Sequence, residues 1–102
     1  LANIQLAALL SQKNIKAFIH DGNSIITAIT DSSISFPADC TGYISLFSHS
    51  DKCTGVYING LKYTLENATL TNSFSLGVSN EFIGCESKIV IGKGTAIVIF
   101  GS

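Results

Sequence analysis

The chain has 102 residues, of which 46% are hydrophobic and 13% charged, and its formal net charge is −1. The charged share is about half of the roughly 25% that is usual in globular proteins. A nearly neutral chain has no net positive charge to attract nucleic-acid phosphates or an anionic membrane. The longest apolar runs, residues 6–10 and 96–100, are far shorter than the roughly 20 residues of a membrane span. We therefore expect one folded domain, no nucleic-acid partner and no membrane span.

The first twelve residues form the helical part of the chain. Their apolar side chains wrap widely around a helix, while Ala and Gln fill the remaining positions. A helix of about 12 residues is only marginally stable alone in water. The apolar surface of this helix is too broad to be covered by one line of contacts with a neighbour. This favours the end of a multi-chain stalk over residues 1–13, although packing beneath the chain's own sheet would also cover it. Because the chain starts with Leu1 and contains no methionine, we expect a fragment of a longer polypeptide.

From residue 14 onward the hydrophobic period changes to two, and β-branched residues dominate. No helical pattern separates the apolar segments, so a parallel sheet is disfavoured. The pattern predicts an all-β fold, an antiparallel β-sandwich or barrel over residues 14–102. The predicted strands cover residues 15–20, 24–30, 34–36, 42–48, 73–78, part of 81–91, and 95–100, with a hairpin at 56–63.

The hairpin carries the clearest local signal. Asn59-Gly60 favours the positive φ angles that a two-residue type I′ turn requires. Such a turn would pair Ile58 with Leu61 and Val56 with Tyr63, and directly opposed residues share one face of a sheet. We therefore expect these four side chains to form one apolar face.

Side chains that could carry catalysis lack the arrangement it needs. His49, Ser50 and Asp51 are the residue types of a catalytic triad, but consecutive residues on a turn cannot adopt triad geometry. Cys53 could act as a nucleophile beside His49, yet nothing nearby in the sequence would orient the histidine. We expect no catalytic residue and no cofactor.

The three cysteines are Cys40, Cys53 and Cys85. With His49 they could form a zinc site, but they lack the short paired spacings of structural zinc sites. An odd number would also leave one thiol outside any intramolecular disulfide. We expect small buried hydrophobic side chains in a reducing compartment, and no bound metal.

Three segments between residues 31 and 102 resemble the C-terminal head, or knob, domains of bacteriophage tail fibres and tail needles. FPADCTGYISL is similar to an APxxGY pattern that starts a strand there, VYING to a hairpin, and GKGTAIVIF to a KGDxV-like turn before a terminal strand. The resemblance implies a homotrimer of three jelly-roll-like sandwiches that recognises a bacterial surface glycan or an outer-membrane receptor. The matching residues are Pro37, Gly42, Tyr43, 56–60 and 93–100, whereas Cys40 and Thr95 depart from the pattern.

The apolar strands also favour a trimer. Residues 95–100 are apolar on both faces, with Ala96 and Val98 on one side and Ile97 and Ile99 on the other. A strand with one solvated face should alternate with polar residues. A second buried surface is therefore expected, and contacts between subunits that close into a ring would provide it.

The leading hypothesis is a non-enzymatic attachment module at the tip of a phage fibre or needle, located in the virion. If receptor binding sits on the polar turns, its residues are His49, Ser50, Asp51 and Lys52, together with Asn80 and Glu81. One alternative is a structural trimerisation cap that aids penetration. Another is a small secreted, lectin-like carbohydrate-binding sandwich.

Overall fold

The computed structural model describes residues 2–72 and 78–101. Within these ranges one helix precedes nine strands. The predicted strand at 73–78 lies outside the described residues except for Val78. The elements are α1 (Ala2–Gln12), β1 (Phe18–Asp21), β2 (Ser24–Thr30), β3 (Ser33–Phe36), β4 (Tyr43–Ser48), β5 (Lys52–Asn59), β6 (Leu65–Thr71), β7 (Val78–Glu81), β8 (Ser87–Lys93) and β9 (Thr95–Gly101).

The strands form two antiparallel sheets. The five-stranded sheet has the order β1-β2-β9-β4-β7, and the four-stranded sheet has the order β3-β8-β5-β6. Alternate side chains of both sheets meet in one apolar core, in which Ile29, Leu46 and Val98 come from the first sheet and Val56 and Ile89 from the second. The predicted mostly-β antiparallel sandwich with a short N-terminal helix is thereby confirmed.

Helix α1 ends in a Schellman motif. Asn14 adopts a positive φ of 62°, its N–H donates to the carbonyl of Ser11 at 3.0 Å, and the Ile15 N–H donates to the carbonyl of Leu10 at 2.9 Å. This pattern satisfies carbonyls that a helix end otherwise leaves unpaired, and Asn tolerates the left-handed conformation. The chain thus turns sharply into β1.

The outer face of the five-stranded sheet is covered by α1. Ala7 and Ala8 are buried against Ile26, Ala28 and Ile97 in a second apolar cluster. The small alanine side chains let the helix lie close to the sheet. The apolar outer face of β9, which favoured a trimer in the sequence, is therefore covered by α1 of the same chain, as is that of β2, and the argument for a homotrimer from β9 was wrong.

A chain of hydroxyl groups continues this contact. The Ser11 hydroxyl donates to the Ala8 carbonyl at 2.7 Å and lies 2.8 Å from the Thr30 hydroxyl, and the Thr30 hydroxyl lies 2.8 Å from the Thr95 hydroxyl.

The helix of the described residues is too short to cross a membrane. The division into residues 1–13 and 14–102 stays a prediction.

The hairpin prediction was wrong in its register. β5 pairs with β6 through Ile58 and Leu65, so the connection is longer than two residues, and Asn59 does not have the positive φ of a type I′ turn. Leu61 instead forms a bridge with Phe82, and Tyr63 is exposed rather than part of an apolar face. A two-residue loop occurs between β1 and β2, where Asp21 pairs with Ser24.

All three cysteines are free thiols. Cys53 is buried, as expected, and its thiol donates to the Thr95 carbonyl at 3.3 Å. Cys40 is partly buried and Cys85 is exposed. The expectation of small buried side chains therefore holds for Cys53 but is wrong for Cys85.

Candidate ligand-binding cleft

The residues predicted to bind a receptor lie at opposite ends of β4. His49, Ser50 and Asp51 follow the last residue of β4, whereas Glu81 pairs with Tyr43 at its start. A strand of this length separates its ends by about 17 to 20 Å. The fold therefore does not bring the two groups of residues together in one site.

The turn that contains His49 is held by backbone contacts. The N–H groups of His49 and Ser50 donate to the Thr95 carbonyl at 2.8 and 3.2 Å. The Ser50 hydroxyl accepts from the Thr95 N–H at 3.1 Å and donates to the Lys52 carbonyl at 2.9 Å. The side chain of Ser50 thus ties the turn to β9, while His49, Asp51 and Lys52 are exposed.

The other end of β4 borders a cleft. The cleft has a volume of about 230 Å³, somewhat less than the roughly 300 Å³ at which complete small-molecule sites begin. It can therefore enclose only part of a typical small-molecule ligand. Its lining residues are Tyr43, Lys62, Tyr63, Ser79, Asn80 and Glu81.

Asn80 joins the two walls of this cleft. Its side chain is only 5% exposed. The Oδ1 atom accepts from the Tyr63 N–H at 2.8 Å and from the Glu81 N–H at 3.1 Å, and Nδ2 donates to the Tyr63 carbonyl at 2.7 Å. A buried amide that exchanges two hydrogen bonds with one residue fixes that residue's backbone. The ring of Tyr63 is thus carried on a rigid segment.

Charge and aromatic surface meet at the mouth of the cleft. The Lys62 ammonium lies 3.7 Å from the Glu81 carboxylate and 5.5 Å from the centre of the Tyr63 ring. Tyr43 contributes a second exposed ring, whose hydroxyl lies 2.6 Å from that of Ser24. A carboxylate beside two tyrosine rings suits a planar cation, because carboxylates and aromatic faces both attract positive charge.

A second cavity, of about 140 Å³, lies where the chain leaves α1. It is bordered by Ser11, Asn14 and Lys16 and floored by β2, and Lys16 donates to the Ser33 carbonyl at 3.2 Å. Residues 2–72 and 78–101 contain no cluster of three or more His, Cys, Asp or Glu side chains that could hold a metal ion.

A family model described as the vitamin B1 binding domain of thiamin pyrophosphokinase matches residues 31–95. The chain belongs to this family. The matched range includes all six residues that line the cleft. No curated protein sequence gives a significant match.

Solved structures of thiamin pyrophosphokinases share the fold of this chain. The enzyme from Bacillus subtilis has a TM-score of 0.87 and 27% sequence identity, over 99% of this chain and 48% of that chain. That from Geobacillus thermodenitrificans has a TM-score of 0.83 and 22% identity, over 99% of this chain and 46% of that chain. The yeast enzyme has a TM-score of 0.75 and 18% identity, over 96% of this chain and 34% of that chain. The chain thus spans about half the length of the bacterial enzymes.

The family corrects several predictions. The chain is not a phage tail knob in a virion, and neither a trimerisation cap nor a lectin is supported, because the match over residues 31–95 is to a domain of a kinase. The resemblance rested on short turn-and-strand motifs, which sandwich folds of different function share. A homotrimer bound to a bacterial glycan or outer-membrane receptor loses its basis with the phage assignment. The expectation of a non-enzymatic protein is likewise overturned by the enzyme family.

The sequence pattern singled out Asn80 and Glu81 but missed Tyr43, Lys62 and Tyr63 as parts of one cleft. The missed residues belong to segments that are distant in the chain. A signal was present at Asn80, since Asn is depleted in strands.

Proposed function

We propose that this chain is the vitamin-binding part of a thiamin pyrophosphokinase and that it binds thiamin in the cleft between Tyr43, Tyr63 and Glu81. The observation that carries the proposal is the family match over residues 31–95, which contains the whole cleft. Thiamin consists of a cationic thiazolium ring and an aminopyrimidine ring. The cleft offers a planar cation two tyrosine rings and a carboxylate.

In the complete reaction, thiamin receives a pyrophosphate group from ATP on its hydroxyl oxygen, and AMP leaves. Because the chain spans 48% of the B. subtilis enzyme, nucleotide binding and group transfer are proposed for the complete enzyme rather than for this domain. The role of the domain is then to hold the vitamin in a fixed orientation, which removes much of the entropic barrier to the transfer.

The strand order supports a jelly-roll-like connectivity as the finer description of the fold. One layer contains the strands β2-β9-β4-β7 and the facing layer contains β3-β8-β5-β6. From β2 onward, each connection crosses from one sheet to the other, except the connection between β5 and β6. Eight strands in two four-stranded sheets match that architecture, with β1 added at one edge.

Thiamin binding can be tested by isothermal titration calorimetry. Glu81→Gln should weaken thiamin binding roughly threefold to tenfold, since it removes the carboxylate partner of the cation. Asp51→Asn is the matched control, because it removes an exposed carboxylate at the opposite end of β4 and should leave the affinity unchanged. Absence of thiamin binding, or equal effects of both variants, would contradict the proposal.

A further inference from the structure

The two groups that suit a cationic ligand are already in contact with a cation of the protein itself. The ammonium group of Lys62 lies 3.7 Å from the carboxylate of Glu81 and 5.5 Å from the ring centre of Tyr63. One positive charge therefore interacts with both the carboxylate and the aromatic face. A planar cation that enters the cleft would use the same two partners.

The backbone keeps Lys62 at this position. The Lys62 N–H donates to the Glu81 carbonyl at 3.1 Å, and the next residue, Tyr63, is held by both ends of the Asn80 amide. The lysine side chain thus starts from a fixed point beside the carboxylate. Its attachment gives the ammonium group a high effective concentration there, as in any intramolecular binding event.

The contact is also easily broken. The side chains of Lys62 and Glu81 are 49% and 59% exposed, and exposed ion pairs contribute little to stability. Lysine has a flexible stem of four carbons and a compact charge, so its ammonium group can leave the cleft and be hydrated in solvent. Displacing it requires no change in the sheet.

We propose that Lys62 is a built-in competitor for the cation-binding part of the cleft, which a cationic ligand must displace in order to contact Glu81 and Tyr63. The inference rests on the proposed function, because thiamin supplies such a cation. Lys62 then sets the affinity of the cleft for cationic rings and reduces its preference for them over neutral rings of the same shape.

The test compares three variants by calorimetry, with thiamin and with a neutral analogue in which thiophene replaces the thiazolium ring. Lys62→Gln removes the competing charge, and it should tighten thiamin binding about threefold to tenfold, the range expected from one exposed ion pair and one cation–π contact. Binding of the neutral analogue should not tighten. Lys62→Arg keeps a cation and should bind thiamin more weakly than Lys62→Gln.

The matched control is Lys88→Gln, which removes an exposed lysine from β8 and changes the net charge equally. It should bind thiamin as the unaltered protein does. If Lys62→Gln leaves thiamin affinity unchanged or weakens it, the competitor role is overturned. If the unaltered protein and all variants fail to bind thiamin, the proposed function is wrong instead.

A second measurement tests the competitor without thiamin. The ε-methylene protons of Lys62 should show an upfield NMR shift from the Tyr63 ring. Titration with tetramethylammonium chloride, a simple quaternary cation, should move this resonance towards the value of a free lysine. Sodium chloride at the same ionic strength is the control. Equal responses to both salts, or no ring-induced shift at the start, would overturn the inference.

Discussion

Asn80 holds the backbone of Tyr63 at both of its polar groups, with N···O distances of 2.8 Å to the Tyr63 N–H and 2.7 Å to its carbonyl. The two residues lie 17 positions apart, in β7 and in the connection between β5 and β6. This pair of hydrogen bonds joins β7 of the five-stranded sheet to the β5–β6 connection at the cleft. It explains why an amide side chain is buried at a position where the strand pattern would favour an apolar one.

Replacing Asn80 should therefore affect both stability and binding. Asn80→Ala leaves the Tyr63 N–H and carbonyl without their partners, and we expect a loss of about 1 to 3 kcal/mol in the free energy of unfolding. Urea denaturation measures this loss, and calorimetry should show weaker thiamin binding because Tyr63 is no longer fixed. Thr27→Val is the control, since it removes a single buried hydrogen bond of 2.7 Å to the Ala17 carbonyl. An equal loss of thiamin affinity in that variant would contradict a local role for Asn80.

Alanine substitutions at Gly60 and Gly84 can distinguish the destabilisation caused by a steric clash from that caused by an unfavourable backbone conformation. Their φ angles are nearly equal, 78° and 81°. A Cβ at Gly60 would collide with the Glu86 carbonyl oxygen and approach the Ser87 Cα to 2.8 Å, while one at Gly84 would have no neighbour within 4 Å. Both alanine variants should lose about 1 kcal/mol in the free energy of unfolding, because alanine disfavours a positive φ. We expect Gly60→Ala to lose about 1 to 3 kcal/mol more, from the clash. Equal unfolding midpoints in urea would refute the steric argument.

The alanines of α1 should be sensitive to size. Ala8 is buried between the helix and the five-stranded sheet, so Ala8→Leu forces the helix away from Ile97 and should cost about 1 to 3 kcal/mol of stability. Gln5→Leu places the same side chain at an exposed position of the same helix and should change stability little. Thermal unfolding followed by circular dichroism compares the two. A stable Ala8→Leu protein would show that α1 does not pack closely on the sheet.

The cysteines should react in the order of their exposure. Cys85 is exposed, Cys40 is partly buried and Cys53 is buried, and a thiol must be accessible to react. Alkylation with iodoacetamide followed by mass spectrometry of peptides should label Cys85 first and Cys53 only after denaturation. Rapid labelling of Cys53 in the folded protein would contradict its burial beneath Thr95.

The sequence predicted part of the candidate site but not its composition. Asn80 and Glu81 were recognised as a polar turn, and they lie in the cleft. His49, Ser50, Asp51 and Lys52 share the same polarity but lie at the other end of β4. Polarity marks residues that meet water, and it does not say which distant turns lie side by side. Tyr63 was assigned to an apolar face because an Asn-Gly pair usually forms a tight hairpin. In the structure, Leu61 pairs with Phe82 and Tyr63 is hydrogen-bonded to Asn80, and these long-range contacts override the local preference.

The period-two hydrophobic pattern and the β-branched residues from residue 14 onward are properties of the sequence, and with the helical pattern before them they determined a mostly-β antiparallel fold with a short helix at its start. Hydrophobic periodicity is local, so it specifies which residues form strands and which faces are buried. It does not specify what covers those faces. Only the tertiary structure decided that α1, rather than a neighbouring subunit, covers β2 and β9. It likewise decided that Tyr43, Lys62 and Tyr63 meet Asn80 and Glu81 around one cleft, because strand order brings together residues that no local pattern relates.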